Sequence, residues 1–354
     1  MKTVSATNHP TAAWLPACLI AASEHRYKSY KSAVKLAALG LLMSGMAGAL
    51  TYGLLPGSPV EAAPSSSNSQ VATVQPLPPT CQNQSSQLSA LVMFDDCPSF
   101  ELDFSQAKDG LFETNRDFNI VDGKPEANNE AQYYTSDAAN IGLRNGALVL
   151  TAKNKPMQGY KYTSARIDTK GKHNFLYGRI VVRAKLPKSV GTWPAIWMLS
   201  SDEKYRDQNP AYSPNHDLAD GELDIAEAVG TEPNKIYTVA HSQSSWEGNR
   251  DNYFATTYVE TSDTAFHDYE LRWTPTSLAY FVDGKQVYSI AKSDNAGYQD
   301  WPYDQPYYLI INLALGGSWG GRDTAHFPGD GVDASALPAS LHVQSIRVYP
   351  YKQQ

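Results

Sequence analysis

The sequence has few cysteines: Cys18, Cys81 and Cys97 are the only three among 354 residues. They form no CxxC pair, which structural zinc sites commonly use, so the sequence predicts no zinc site. Cys81 and Cys97 enclose a short segment and could form one disulfide outside the cell, or both could remain free thiols.

The sequence is also poor in charge and in helical patterns. Charged residues make up 18% of it, the net charge is −7, and no basic patch occurs. Proteins whose main partner is nucleic acid or an anionic membrane need such a patch, so neither partner is expected. No long run follows a helical period and no internal repeat is present, so no helical architecture competes with a β-rich one.

The N-terminal region does not resemble a folded domain. An uncharged apolar run extends from Leu36 to Gly57 and follows a basic stretch that contains Lys28, Lys31 and Lys35. A basic flank stays in the cytoplasm, so the run should send the rest of the chain outside, either as a removed signal peptide or as a retained membrane anchor. We therefore expect a secreted or cell-surface protein that meets the membrane only through this segment.

Composition divides the chain into four parts. Residues 1–35 form a cytoplasmic or pre-signal segment, and residues 36–57 form the signal peptide or membrane anchor. Residues 58–96 are rich in Pro, Ser and Gln and cannot bury enough apolar surface to fold, which predicts a linker. Residues 97–354 are predicted to form the folded domain.

Short β-rich runs recur throughout this domain, among them "GALVLTA", "YGRIVVRAKL", "LAYFVDGKQVYSI" and "YYLIINLAL". Asp283-Gly284 separates two such runs and favours a tight hairpin turn. About 250 residues of short antiparallel strands predict one all-β domain, a large sandwich or jelly roll.

The stretch "GELDIAEAVG" contains three carboxylates: Glu222, Asp224 and Glu227. Side chains alternate between the two faces of a strand, so Glu222 and Asp224 share one face while Glu227 would face the core. Burying an unpaired charge costs several kcal/mol. A β-bulge at Ile225-Ala226 would shift the phase by one residue and bring Glu227 onto the face of the other two acids.

Three acids on one surface suit glycosidic-bond hydrolysis. In retaining glycosidases, two carboxyls about 5–5.5 Å apart act as nucleophile and as acid/base. Close carboxylates cannot all ionise, so the pKa of at least one must rise. The same pattern is also compatible with a solvated acidic edge or with a calcium site.

Aromatic residues support a carbohydrate ligand. Trp193 and Trp197 lie four residues apart in "GTWPAIWMLS" and therefore share one face of an extended run. They are either core residues or a stacking floor for sugar rings. Trp319 lies in the glycine-rich "NLALGGSWGG", which favours a binding role.

The domain resembles glycoside hydrolase family 16, and within it the laminarinase-like endo-β-1,3-glucanases. The resemblance rests on "NNEAQYYT", "SARIDTKGK", "YGRIVVRAKLP", "GTWPAIWMLS", "GELDIAEAVG", "LRWTP", "YFVDGK", "QPYYLIINLALGGSWGG" and "IRVY", in the family's order. It implies a concanavalin A-like jelly roll of two curved antiparallel sheets with a concave substrate cleft.

The resemblance also implies roles for single residues. Glu222 would be the nucleophile, Glu227 the acid/base and Asp224 the assisting acid. Implied substrate contacts are Asn129, Arg183, Trp193, Trp197, His241, Asn312 and Trp319. Many relatives hold a structural calcium, but its two slots here are Asp103 and Gln344, so we expect no metal and no other cofactor.

The resulting prediction is a monomeric, retaining endo-glycosidase that hydrolyses internal β-1,3-glucosidic bonds of β-glucans such as laminarin. Alternatives are a cell-wall glucan transglycosylase, a hydrolase of another β-linked polysaccharide such as agarose or carrageenan, and a non-catalytic glucan-binding protein. The presence of both glutamates argues against the last of these.

Overall fold

The computed structural model of the protein describes residues 93–208, 219–246 and 253–352, all within one compact unit. These residues form two large antiparallel sheets and one short pair of parallel strands, which confirms the predicted all-β sandwich. The predicted segments 1–35 and 36–57 lie outside the described residues.

The first sheet has eight strands. Its strands are β1 (Phe100–Asp103), β4 (Ile141–Arg144), β5 (Ala147–Ala152), β8 (Gly178–Lys185), β13 (His267–Thr274), β14 (Ser277–Val282), β15 (Lys285–Ala291) and β17 (Ala339–Tyr349). Their spatial order is β15-β14-β13-β8-β17-β5-β4, and β1 also pairs with β17.

The second sheet has seven strands. Its strands are β2 (Asn119–Ile120), β7 (Arg166–Asp168), β9 (Thr192–Ser200), β10 (Glu222–Glu227), β11 (Lys235–His241), β12 (Phe254–Tyr258) and β16 (Tyr307–Leu315). Their spatial order is β12-β11-β10-β9-β16-β7-β2, which puts β10 inside the sheet and β12 at one edge.

The remaining elements are short. β3 (Gln132–Tyr134) and β6 (Tyr162–Ser164) pair in parallel. Two helical turns, α1 (Gln243–Trp246) and α2 (Gly317–Gly320), are accompanied by 3₁₀ turns at Arg206–Gln208 and Ala334–Ala336. None of the described helices has the length and apolar character that crossing a membrane requires.

The hydrophobic core lies between the two sheets, because alternate residues of both contribute to one cluster. Ile180 and Val182 of β8 belong to this cluster, and so do Ile196 and Met198 of β9. Side chains alternate along a strand, so the residues between them lie on the outer faces of the sandwich. The seven-stranded sheet therefore has one face toward the core and one free to form a site.

The predicted hairpin turn at Asp283-Gly284 is confirmed. Asp283 and Gly284 have φ of 50° and 74°, and Val282 pairs with Lys285 across the turn between β14 and β15. Both φ values are positive, as a type I′ turn requires, and Gly adopts them without the steric cost of a Cβ.

The folded domain begins before residue 97, where the composition had placed its boundary. Phe94 is 2% exposed and bridges to Tyr351, while the Asp95 N–H donates to the Pro350 carbonyl. The last residues of the predicted linker are thus packed against residues 350–352, which follow β17 directly. Cys97 is disulfide-bonded, so the free-thiol alternative does not hold for it; Cys81 lies outside the described residues.

A buried ion pair lies on the outer face of the eight-stranded sheet. Glu270 of β13 is 3% exposed and accepts two hydrogen bonds from Arg179, at 2.9 and 3.0 Å. Arg272 donates a further bond to the same carboxylate. Removal of one partner of a buried pair leaves the other charge uncompensated, which is more costly than the pair is stabilising.

We expect Glu270→Ala to lower the free energy of unfolding by about 3–5 kcal/mol, because Arg179 and Arg272 would lose their counter-charge. Urea unfolding followed by tryptophan fluorescence measures this loss. Asp268→Ala is the matched control, since Asp268 lies on the same strand but pairs with Arg183 at an exposed position. It should cost less than about 1 kcal/mol. Equal losses in the two variants would contradict the assignment.

Candidate active site

A β-bulge interrupts β10 between its carboxylates. On the β9 side, Asp224 pairs with Trp197 and Ala226 pairs with Ile196, so Ile225 is an extra residue. The pairing of β10 with β11 shifts over the same interval. The bulge predicted at Ile225-Ala226 is therefore present.

The extra residue brings the three acids onto one face. Ile225 and Ala226 both lie in the core, and Glu227 then pairs with Ala195 of β9, two residues from the partner of Asp224. Positions two apart share a face, so Glu227 joins Glu222 and Asp224 on the side away from the core.

The start of β10 is fixed by a glycine and two polar side chains. Gly221 has a φ of 75°, and a Cβ there would come within 2.6 Å of Pro302 Cγ. The Tyr307 hydroxyl and the Gln305 amide both donate to the Asp220 carbonyl, the second at 3.1 Å. A larger residue at Gly221 would displace the strand that carries the acids.

Burial raises the pKa of all three carboxyls. The pKa of Glu222 rises to about 8, through burial and then through the charge of Asp224. The pKa of Glu227 rises to about 7; burial is the main cause, the charge of Glu222 adds to it, and a hydrogen bond from Trp193 opposes it. Asp224 is 1% exposed, and burial with the charge of Glu227 raises its pKa well above the ordinary value. At neutral pH the cluster keeps protons that ordinary carboxyls lose.

His241 of β11 completes the cluster. It pairs with Glu222 across the strands, and its Nε2 lies 3.2 Å from Asp224 Oδ2. Ligating atoms of Glu222, Asp224 and His241 lie within 4.8 Å of one another, the one such group among the described residues that could hold a metal ion. The raised carboxyl pKa values favour protons in this cluster, and the absence of a metal stays a prediction.

Trp193 connects the acids to an aromatic cluster. Its indole Nε1 donates to Glu227 Oε1 at 2.8 Å. Its ring contacts the Trp319 ring edge to face at 5.3 Å between centroids, and Trp319 contacts Tyr237 in the same way at 4.8 Å. Trp319 is half-buried on α2, so it is fixed by packing and not carried on an open loop as the sequence suggested.

Trp197 is fixed by a hydrogen-bonded chain. Its Nε1 donates to Asn312 Oδ1 at 2.7 Å, and Asn312 Nδ2 donates to the Tyr134 hydroxyl at 3.1 Å. The Tyr134 hydroxyl in turn donates to Glu130 at 3.2 Å. Asn312 is 6% exposed and bonds through both ends of its amide, so it orients Trp197.

Arg166, which the sequence interpretation did not single out, belongs to this face. It pairs with Asn312 across the sheet, and its guanidinium lies 5.4 Å from the centre of the Trp197 ring. Its Nε is buried without a hydrogen-bond partner in the described structure. The alternation Arg166-Ile167-Asp168 was the available signal, since it marks a polar face on a strand of three residues.

One predicted substrate contact, Arg183, lies elsewhere. Arg183 is on β8 of the eight-stranded sheet, where it bonds to Asp268 and Gln344 at 3.0 Å. Its neighbours Val182 and Ala184 face the core, so the sandwich separates Arg183 from the carboxylates, and the structure does not bring it to the site. The resemblance had implied this contact, and the pairing of β8 with β13 and β17 places Arg183 on the other sheet.

Asn129 is exposed in a turn beside the loop that precedes Trp319. It has a φ of 52°, and the next residue, Glu130, bridges to Gly316. Asn129 therefore lies near the rim of the site and not on its floor.

The two slots expected for a structural calcium hold other interactions. Asp103 accepts a hydrogen bond from Arg347 at 3.1 Å and from the Ser105 N–H at 2.8 Å. The Gln344 amide oxygen accepts from Arg183 at 3.0 Å. The Arg347 guanidinium therefore already neutralises the Asp103 carboxylate.

The geometry suits acid/base and nucleophilic chemistry on a bound sugar. Two glutamates on one strand face the same surface, a buried acid lies between them, and indole rings flank them on the neighbouring strand β9. Carboxyls with raised pKa can donate protons near neutral pH, and indole faces match the apolar faces of sugar rings.

Comparison with known proteins gives one consistent result. Residues 128–329 match the sequence profile described as glycosyl hydrolases family 16. The chain is 37% identical over 262 residues to a β-glucanase of Rhodothermus marinus, which covers 72% of this chain and 87% of that protein.

Solved structures agree with the sequence match. The laminarinase from Rhodothermus marinus superposes with a TM-score of 0.63 and 34% identity, over 73% of this chain and 98% of the other. A mutant of SCLam, a non-specific endo-β-1,3(4)-glucanase, superposes with a TM-score of 0.59 and 29% identity, over 73% of this chain and 94% of the other. That structure holds 1,3-β-D-cellobiosyl-glucose at its active site.

We expect Trp193→Phe to raise the pKa of Glu227 above its present value of about 7, because the indole hydrogen bond stabilises the ionised carboxylate. Titration of ¹³C-labelled glutamate carboxyls by NMR, assigned with Glu227→Gln, measures the shift. Trp197→Phe is the matched control, since its indole bonds Asn312 and should leave Glu227 unchanged. A Glu227 pKa that stays constant or falls in Trp193→Phe would contradict the assigned role of this bond.

Proposed function

Because the chain belongs to glycosyl hydrolases family 16, we propose that it is an endo-β-1,3-glucanase that hydrolyses internal bonds of β-glucans by a retaining mechanism. The observation that carries this proposal is the bulge in β10, which places Glu222, Asp224 and Glu227 on one face. The β-glucanase and laminarinase relatives support the reaction class and the substrate.

In the first step Glu227 acts as the acid. Its raised pKa keeps it protonated close to neutral pH, and its proton passes to the glycosidic oxygen as the bond to the anomeric carbon breaks. Glu222 attacks that carbon from the opposite side with a carboxylate electron pair and forms a glycosyl ester. The departing sugar leaves as an alcohol, so charge and protons balance.

Asp224 allows Glu222 to be ionised when it attacks. Glu222 and Asp224 are hydrogen-bonded to each other, so one proton lies between the two carboxyls. The hydrogen bond itself raises the pKa of Glu222 and lowers that of Asp224, so the proton rests on Glu222 and moves to the buried Asp224 when Glu222 attacks. The protonated Asp224 then donates to the Glu222 carboxylate and stabilises it. His241 beside Asp224 further favours negative charge, since its positive form lowers the pKa of Glu222 and Glu227.

In the second step Glu227 acts as the base. Esterification removes the negative charge of Glu222, which had raised the pKa of Glu227. The pKa of Glu227 therefore falls after the first step, so it can remain ionised and accept a proton from the attacking water. The water restores Glu222 by breaking the ester, and the sugar keeps its β configuration.

We also propose that the domain acts outside the cell. The apolar run from Leu36 to Gly57 and its basic flank support export, and the disulfide at Cys97 fits an oxidising compartment. From the sequence we further propose that the apolar run is either cleaved as a signal peptide or retained as an anchor. We also propose that the domain is monomeric.

Laminarin should be cut internally, and the first products should carry the β configuration, because two inversions at one carbon retain it. Proton NMR of the anomeric signals in the first minutes, before mutarotation, shows the configuration, and chromatography shows product lengths. Agarose and carrageenan are the matched substrates and should remain intact. Initial α products would exclude the double displacement, and selective cleavage of agarose or carrageenan would assign another polysaccharide.

The two glutamates should differ when the leaving group changes. Glu227→Gln should reduce laminarin turnover by roughly 10²–10⁴-fold because proton donation is lost, and a dinitrophenyl glucoside, which needs no proton, should recover the first step. Glu222→Gln should be inactive on both substrates, since the nucleophile is missing. Equal rescue of both variants, measured as dinitrophenol release, would contradict the assigned roles.

A further inference from the structure

A polymer that is cut internally must extend over both sides of β10. Four strands, β9, β16, β7 and β2, lie on one side of it, and two strands, β11 and β12, lie on the other. The first side carries Trp193, Trp197 and Arg166 on its outer face. The second side needs its own surface for the rest of the glucan.

We infer that Phe254 on the edge strand β12 is a stacking platform for the part of the β-glucan that runs over β11 and β12. The inference rests on the proposed glucanase function and assigns a further binding residue to the same cleft. It follows from strand register, exposure and side-chain chemistry.

The register places Phe254 in line with the centre of the acids. Asp224 pairs with Val239 of β11, and Val239 pairs with Phe254 of β12. Directly paired residues of antiparallel strands share a face, so Phe254 lies on the catalytic face of the sheet. Two strand spacings separate it from Asp224, roughly 10 Å, a distance that a few sugar units span.

Phe254 is exposed although it is aromatic, and its neighbours show which face is buried. Phe254 is 51% exposed, while Tyr253 beside it is 8% exposed and belongs to the core. The strand alternates as expected, with its exposed positions on the side of the acids. An exposed aromatic ring in line with a carbohydrate site matches the apolar face of a sugar.

Val239 lies directly between Asp224 and Phe254, and polar side chains lie beside this row on β11. Tyr237 of β11 lies in the row of Glu227, and its hydroxyl donates to Glu232. Lys235 bonds to the same carboxylate at 3.1 Å. The row from Asp224 to the Phe254 ring therefore passes over Val239 and has polar side chains along one side, where they can meet sugar hydroxyls.

Tyr258 provides an internal control. It is 71% exposed on the same face of the same strand, but it pairs with Lys235, two rows beyond the row of Asp224. Four residues along β12 separate it from Phe254, roughly 13 Å. Non-specific binding of glucan to the edge strand would involve both aromatic rings. A glucan that follows the row of Asp224 contacts only Phe254.

The test measures kcat/KM for β-1,3-gluco-oligosaccharides of increasing length and for laminarin. In the wild type, kcat/KM should rise with length until the chain reaches β12. Phe254→Ala should remove the last part of this rise and lower the ratio of long-chain to short-chain kcat/KM on the order of 5-fold, the loss of one stacking contact. Phe254→Tyr should restore the ratio, and Tyr258→Ala should follow the wild type.

Each other outcome has a separate meaning. A wild type that cuts no β-1,3-glucan would refute the proposed function, whereas an active wild type with the same length profile in Phe254→Ala would refute only the platform. An equal loss in Tyr258→Ala would refute the row argument. A concentration-dependent dimer that Phe254→Ala abolishes, seen by light scattering without a change in the length profile, would assign the ring to a second copy of the chain and overturn the inference.

Discussion

The site depends on one extra residue in one strand. Regular alternation in β10 would bury Glu227. The bulge at Ile225 instead leaves two apolar side chains, Ile225 and Ala226, in the core and the third acid on the open face. Packing and chemistry are therefore satisfied by the same irregularity. The register on both sides of β10, and with it the path toward β12, follows from this position.

The residues around the acids act mainly by fixing one another. Trp193 bonds to Glu227, and Trp197 is oriented by Asn312, which is itself held by Tyr134. These hydrogen bonds between side chains set the ring and carboxyl positions before substrate binds. Binding therefore costs less side-chain entropy. The floor of the cleft is thus an ordered polar and aromatic layer on top of a close-packed apolar sheet.

The sequence was most informative where the alternation of side chains along a strand would have placed a charged group in the core. The bulge could be predicted because a buried Glu227 would be costly, and the shared face of Trp193 and Trp197 followed from their spacing alone. Arg183 was implied as a substrate contact by the resemblance alone, and it lies on the other sheet because strand pairing between segments distant in sequence decides which sheet carries β8.

Short elements limited the prediction in another way. Arg166 lies on a strand of three residues, too short for a pattern to stand out, and its relation to Asn312 depends on strands far apart in the chain. Phe94 was assigned to the linker because residues 58–96 as a whole are rich in Pro, Ser and Gln, although its ring contacts Tyr351, just after β17. Both cases depend on tertiary contacts that no local pattern encodes.

The buried acids also affect how the fold responds to pH. An unfolded chain would release the protons of Glu222 and Glu227 near their ordinary pKa of 4.5, whereas the folded protein keeps them until about 8 and about 7. The folded state therefore binds more protons between these values, and its stability falls as the pH rises through that interval. The face that prepares the enzyme for proton transfer is, for the same reason, a place where a rise in pH from about 4.5 to about 8 weakens the sandwich.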